Sequence, residues 1–374
     1  MSEMPTTPSI AAEQPAPSET GRFTVIGSGV IGLLVAHELV EQGHDVTVIS
    51  TTGKPHEHTT IASTAAVGQF LPWLPESHAK SSIGKLDLNE IVEGTRTFYE
   101  ELAQDPHTSG VMEVENVELV NSSHPWPEDL SDVMVVTEST LVDPLTYVDP
   151  DGSEVELDTV YRFNTFSINT SKTVVYLADR AEKAGVKFKR QELKPEDLHQ
   201  LDGIIVNAAG AGAVGFDPTN EVKNYKGHTF VMRPRAGYRI PKEALSVEDL
   251  IIMPREDGTL ICGALRIEDP TRPIPERLEA EELKKRLAQL IRQASPLLDG
   301  LDPELLEHCD TLVHLAGYRV ESSGGGIRIA PDEANERLLH AYGFGGIGWS
   351  VGPHFAKKIA EQAIKIHNNR KENA

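Results

Sequence analysis

Gly27-Ser28-Gly29-Val30-Ile31-Gly32 places glycines at the first, third and sixth positions of one short turn. That spacing suits a backbone lying against a pyrophosphate. Gly27 allows the tight turn, Gly29 clears the path of phosphate oxygens, and Gly32 lets a helix pack closely on the preceding strand. The start of that helix offers unpaired N–H groups and the positive end of its dipole, which is the chemistry of anion binding. Twenty residues on, where a dinucleotide site commonly sets an acid against a ribose, the chain reads Val48-Ile49-Ser50-Thr51-Thr52. Ser50 and Thr51 then offer hydroxyls to the ribose. A second reading stays open, in which Lys54 meets the 2′-phosphate of an NADP-like ligand.

These groups need a β-α-β unit to hold them. Phe23-Thr24-Val25-Ile26 is an apolar run that predicts a buried strand, residues 31–42 carry helical spacing up to Gly43, and residues 45–49 predict a second strand. Residues 73–160 look less regular, with short β-like runs such as 133–137. A helix is expected over 173–184, a strand at Val186-Lys187-Phe188, and a buried strand at Ile204-Ile205-Val206 running into Ala208-Ala209-Gly210. Residues 227–265 are strand-rich, and a charged helix over 275–293 is expected to face solvent. A Gly-rich stretch, 342–352, leads into a last helix through Ile366. The interleaving predicts an α/β protein. A Rossmann-like domain is assembled from the discontinuous segments 21–73, 160–220 and 311–370. A second domain, with a mixed β-sheet, takes 74–159 and 221–310.

Across 374 residues the formal net charge is −22, which argues against nucleic acid or an anionic membrane as partner. Two cysteines, Cys262 and Cys309, are too few for a disulfide scaffold and fit a reducing cytoplasm. Residues 1–20, rich in Pro, Ser, Thr and Glu, read as a disordered tail rather than a signal peptide. No apolar run is long enough to span a bilayer. His56-Glu57-His58 lacks further ligands at metal-binding spacing, so no metal is expected.

Three further segments combine small residues with places where backbone N–H groups can approach a flat ring system. They are Ala65-Ala66-Val67-Gly68-Gln69-Phe70-Leu71-Pro72-Trp73 with Ser63 and Thr64 before it, Gly203 through Gly210, and Tyr342-Gly343-Phe344-Gly345-Gly346-Ile347-Gly348-Trp349-Ser350. With the glycine fingerprint, Tyr225-Lys226-Gly227-His228, Ile252-Met253-Pro254-Arg255 and Ala316-Gly317-Tyr318-Arg319, their ordered occurrence resembles the D-amino acid oxidase family. The likeness runs from Phe23 to about Ile366.

The resemblance implies FAD as cofactor. It implies contacts from Gly27, Ser28, Gly29, Val30, Ile31, Gly32, Ser50, Thr51, Ser63 and Thr64, and from Gly68, Gln69, Phe70, Leu193, Ala209, Gly210 and Arg328, with a structural role equally open for Arg328. Gly345, Gly346, Ile347, Gly348 and Ser350 complete the set, close to a ring whose reduced form carries negative charge near N1. It also implies that Arg319 clamps a substrate carboxylate with two parallel hydrogen bonds beside Gly346. The expected reaction moves a hydride from the α-carbon of a D-amino acid to flavin N5. O2 takes up the electrons, and the products are a 2-oxo acid, ammonia and hydrogen peroxide. A family tyrosine is replaced by Ile251, and Tyr238 is the expected substitute. Arg233, Arg235 and Arg239 in the same loop either meet an acidic side chain or are simply solvated. Two other readings remain: a dehydrogenase or biosynthetic oxidase of amines or imino acids, and a flavin-binding protein without turnover. A homodimer is open.

Overall fold

The computed structural model describes residues 20–71, 87–123, 134–148, 153–238, 240–247, 250–268, 276–322 and 326–373. Strand β1 (Arg22–Ile26), helix α1 (Val30–Glu41) and strand β2 (Asp45–Ser50) form the first unit. Helices α2 (Leu88–Leu102) and α3 (Pro106–Ser109) precede strands β3 (Val111–Val120), β4 (Val136–Val148) and β5 (Glu154–Ile168). Helix α4 (Thr170–Ala184) leads to β6 (Lys187–Arg190) and β7 (Ile204–Asn207). Then come β8 (Val222–Pro234), β9 (Ala244–Val247), β10 (Leu250–Pro254) and β11 (Leu260–Glu268). The chain closes with α5 (Glu276–Ala294), β12 (Cys309–Ser322), β13 (Arg328–Pro331), β14 (Leu338–Tyr342) and α6 (Gly348–Glu372).

The strands build two sheets. The first has the order β13-β14-β7-β1-β2-β6 and is parallel except at its β13 edge. Parallel strands buried on both faces read as continuous apolar runs, as Phe23 to Ile26 and Ile204 to Val206 do. Helices α1, α2, α4 and α6 share one core with this sheet. Helix α1 is apolar nearly all round because it is covered on both sides.

The second sheet, β12-β8-β11-β10-β9-β3-β5-β4, is mixed, with β3 and β9 parallel inside an otherwise antiparallel array. Leu283, Leu287, Leu290, Ile291 and Ala294, at helical spacing along α5, are buried against Phe230, Met232, Leu245 and Leu260. The charged helix expected to be a solvent face therefore covers this sheet with one side and meets water with the other.

The sheets divide the chain at different places from the expected segments. Strands β5 and β12 belong wholly to the second sheet, although residues 160–168 and 311–322 were expected with the nucleotide-binding segments. Helix α2, expected with the second domain, buries Ile91, Val92, Tyr99 and Leu102 in the first core. The long strands carry their pairing past the sequence boundary, and the apolar stripe of α2 finds its partner on α6. The stretch that looked irregular holds β3 and the antiparallel pair β4–β5, with β5 lying between β3 and β4, and the alternating acids and β-branched residues of β3 and β5 are a half-exposed strand pattern. The expected tail, apart from Thr20, lies outside the described residues, as do Pro72, Trp73 and Arg239.

Candidate active site

The site begins at the carboxyl ends of β1, β2 and β7. Gly27 sits at φ +108°, and a Cβ there would come within 2.4 Å of the Ala208 carbonyl oxygen. Its N–H donates to the Ile49 carbonyl (2.9 Å), which ties the turn to β2. A Cβ on Gly32 would lie 2.0 Å from the Gly27 carbonyl oxygen, so this glycine serves the packing of α1 on the turn. Gly29 differs: it has φ −76°, and a Cβ would meet only the Ser63 hydroxyl at 3.1 Å. It caps α1 without a side chain, and the Val30 N–H donates to Ser63 Oγ (3.0 Å).

A cleft of about 710 Å³ opens over this turn. Gly27 to Ile31, Ser50, Thr51, Thr52, Ser63, Glu192, Leu193 and the small-residue run Ala208 to Gly212 line it. It continues into a narrower cavity of about 110 Å³ lined by Arg319, Gly345, Gly346, Gly348 and Trp349, the two sharing Val30, Ser63, Gly210 and Tyr318. The Gly345 N–H donates to the Val320 carbonyl (2.9 Å), which pins the glycine segment to the end of β12. Arg319 is consequently enclosed by two glycines. A Cβ on Gly346 would lie 3.3 Å from its Nη1, and one on Gly227 would lie 3.2 Å from its Nε.

The whole forms a long slot with a helix start at its middle, hydroxyls at one end and a guanidinium at the other. The model of the FAD dependent oxidoreductase (DAO) family matches residues 22–362. The chain belongs to this family. A D-amino-acid oxidase of Rubrobacter xylanophilus is 27% identical over 350 residues, covering 91% of this chain and 95% of that protein. A D-amino-acid oxidase of Streptomyces coelicolor is 26% identical, covering 92% and 97%. The solved structure of glycine oxidase from Geobacillus kaustophilus shares the fold with a TM-score of 0.64 at 18% identity, covering 92% of this chain and 95% of that one. Membership makes the protein an FAD-dependent oxidoreductase. No helix among the described residues is long and apolar enough to cross a membrane.

The slot fits FAD. The turn at Gly29 and the start of α1 would take the pyrophosphate, and the hydroxyl end would take the adenosine. Gly345 and Gly346 leave the backbone bare where the ring would lie. The NADP-like alternative loses its cation, because Lys54 is engaged by Asp179 (2.7 Å) and Glu182 (2.5 Å). No lysine or arginine appears among the described side chains lining the larger cleft.

The structure brings together most of the expected family contacts and separates others. Gly27, Ser28, Gly29, Val30, Ile31, Ser50, Thr51, Ser63, Leu193, Ala209 and Gly210 line the larger cleft, and Gly345, Gly346, Gly348 and Arg319 line the narrower one. Thr64 instead closes its own turn, its hydroxyl donating to the Thr59 carbonyl (2.9 Å). Gly68 is held against β5, its carbonyl accepting from the Ile168 N–H (2.7 Å). The Gln69 amide turns to Asn116 (3.1 Å), and Phe70 packs with Tyr99 and Phe166. Ile347 caps α6 and Ser350 is buried behind it, its hydroxyl donating to the Gln69 carbonyl (3.3 Å). These residues set the backbone behind the ring's place.

Tyr238 is a clear correction. It is 43% exposed and stacks on His308 (4.3 Å between centroids). In the β8–β12 register Arg319 opposes Tyr225, whereas the loop holding Tyr238 leaves β8 after Pro234. Nine strand residues separate those ends, roughly 30 Å at about 3.3 Å per residue. Ile251 lies in an apolar cluster with Val67, Met112 and Met253. Arg233 pairs with Asp257 and Arg235 with Asp310. Sequence reasoning passed over Gly227, Thr52 and Glu192. Gly227 stood in a quoted motif, yet nothing local shows that its missing side chain makes room for Arg319.

Arg328 makes a structural ion pair, one of the two readings open for it. Its Nε donates to Asp217 (2.6 Å), whose carboxylate also accepts from the Tyr342 hydroxyl (2.8 Å) and lies 3.6 Å from His340 Nε2. This buried group joins the turn after β7 to the strand leading into the glycine segment, so Arg328 fastens the two walls of the slot together. Burial alone raises the Asp217 pKa. Hydrogen bonds from Arg328, Tyr342 and Thr219, with the nearby His340, outweigh it and hold the carboxyl below its ordinary range. A depressed folded-state pKa stabilises above the unfolded value, about 3.9, and that contribution fades as pH falls through the folded value. Asp217→Asn is expected to cost about 3 kcal/mol at neutral pH, as for breaking a buried pair. Thermal midpoints from about pH 7 to pH 3 should show the gap to the parent protein shrinking only below about pH 4. A gap constant across that range would refute the ion-pair account.

Proposed function

We infer that the protein oxidises a small D-amino acid at the carbon bearing nitrogen, with O2 as electron acceptor. The observation carrying this reading is the position of Arg319, a guanidinium on a strand of the second sheet that enters the glycine-lined end of the FAD slot. A planar fork there matches a carboxylate with two parallel charge-assisted hydrogen bonds, which would fix the α-carbon over the ring. The names of the two D-amino-acid oxidase relatives, aligned over most of their length, support the substrate class and its configuration.

FAD in the slot supplies the two-electron acceptor. The chain's own work is to hold and orient: Arg319 grips the carboxylate, Gly227 and Gly346 leave its guanidinium room, and the start of α1 balances the pyrophosphate charge. A neutral substrate amine lends its lone pair to departure of the α-hydrogen as hydride, so no side-chain base is required. Amino acid, O2 and water then yield 2-oxo acid, ammonia and hydrogen peroxide. Two unpaired thiols, Cys262 and Cys309, are consistent with work in a reducing cytoplasm.

The test is an anaerobic absorbance spectrum of the yellow protein, taken before and after adding D- and L-amino acids. Bleaching by D-amino acids alone, followed in air by peroxide release, is the expected result. Bleaching without peroxide would replace O2 with another acceptor. Bleaching by L-amino acids or by none would overturn the substrate assignment.

A further inference from the structure

The adenosine end of the slot lacks the acid that commonly closes the second strand, and β2 ends in hydroxyls. Ser28 and Ser50 lie 2.9 Å apart, Ser28 and Thr52 3.0 Å, and Ser50 and Thr52 3.2 Å; Ser50 also donates to the Gly53 carbonyl (3.0 Å). These hydroxyls are largely occupied with one another and with the backbone. A ribose offers two vicinal O–H donors, for which the strongest single partner is a carboxylate, accepting at both oxygens and charged.

The neighbouring strand brings one. Strand β6 runs parallel to β2 with Arg190 opposite Ser50. The Gln191 N–H donates to the Ser50 carbonyl (2.9 Å), and the Arg190 Nε donates to the Thr51 carbonyl (3.1 Å). These bonds fix the chain leaving β6 against the end of β2. The next residue, Glu192, is exposed and lines the slot together with Thr51, Thr52 and Leu193. It supplies the one carboxylate among the described side chains that line the larger cleft.

We propose that Glu192, carried on β6, binds the adenosine ribose diol of FAD in place of an acid on β2. It rests on FAD as the ligand of the slot. The same negative charge disfavours a 2′-phosphate, so this residue also discriminates against NADP-type dinucleotides.

The experiment uses the full chain freed of flavin and retitrated, with binding followed by flavin fluorescence. The probes are FAD and an FAD whose adenosine is 2′-deoxy. Glu192→Ala is expected to weaken FAD roughly 30-fold, the order for a lost hydrogen bond to a charged group, with Glu192→Gln falling between. For the deoxy analogue the difference between parent and Glu192→Ala should shrink several-fold, because one of the two bonded hydroxyls is gone. Thermal melts of the flavin-free proteins, expected to coincide, show that the variants fold. FAD binding within two-fold of the parent would overturn the proposal, as would an equal loss for both flavins, which places Glu192 away from the diol. Failure of the parent protein to bind FAD would instead strike at the cofactor itself.

Discussion

Arg319→Ala should lower kcat/KM for amino acids by roughly two to three powers of ten while the purified protein keeps its full yellow colour. Removing one partner of a buried, hydrogen-bonded charge pair costs about 2–5 kcal/mol, and much of that is the exposed need of the group left behind. Here the group left behind is the substrate carboxylate, so the loss falls on substrates bearing one. Flavin content should not change, because the turn at Gly29, the hydroxyl end and the start of α1 lie at other parts of the slot. Arg319→Lys should recover little, since a point charge on a flexible stem cannot reproduce a bidentate fork. Unaltered steady-state kinetics in Arg319→Ala would remove this residue from the substrate site.

Gly29→Val should yield folded, colourless protein. The backbone at Gly29 is one that any residue adopts, and its Cβ would press only on the Ser63 hydroxyl, so the fold can absorb the change. The two γ-methyls would then stand where the pyrophosphate must approach the start of α1. Gly27→Val makes the informative contrast. At φ +108°, with the Ala208 carbonyl oxygen 2.4 Å from a Cβ, that position has neither the conformation nor the space, and the variant should fail to accumulate as folded protein. Circular dichroism and the absorbance ratio of flavin to protein separate the two outcomes. A yellow Gly29→Val with parental flavin content would show that the cofactor does not pass over this turn.

What proved legible in the sequence was local. The turn from Gly27 to Gly32 carries its meaning in consecutive residues, and the apolar runs that became β1 and β7 fix both the element and its burial. Helix α6 and the glycine segment before it were equally readable, because each sits in one stretch of chain. The parallel sheet followed from these parts, since short buried strands alternating with helices close in few ways.

Tertiary structure alone decided who meets whom. Tyr238 and Arg319 looked like neighbours by family order, yet the β8–β12 register sends them to opposite ends of one strand pair. Arg328 carries the charge expected of a ligand contact, but a buried Asp217 more than a hundred residues away claims it. Glu192 reads as one acid among many until β6 pairs with β2 and brings it to the hydroxyl end of the cleft. Helix and turn propensities act over a few residues and are written in them. Strand register and ion pairing are settled by contacts between distant segments, through the burial of whole faces, and no single segment contains that information.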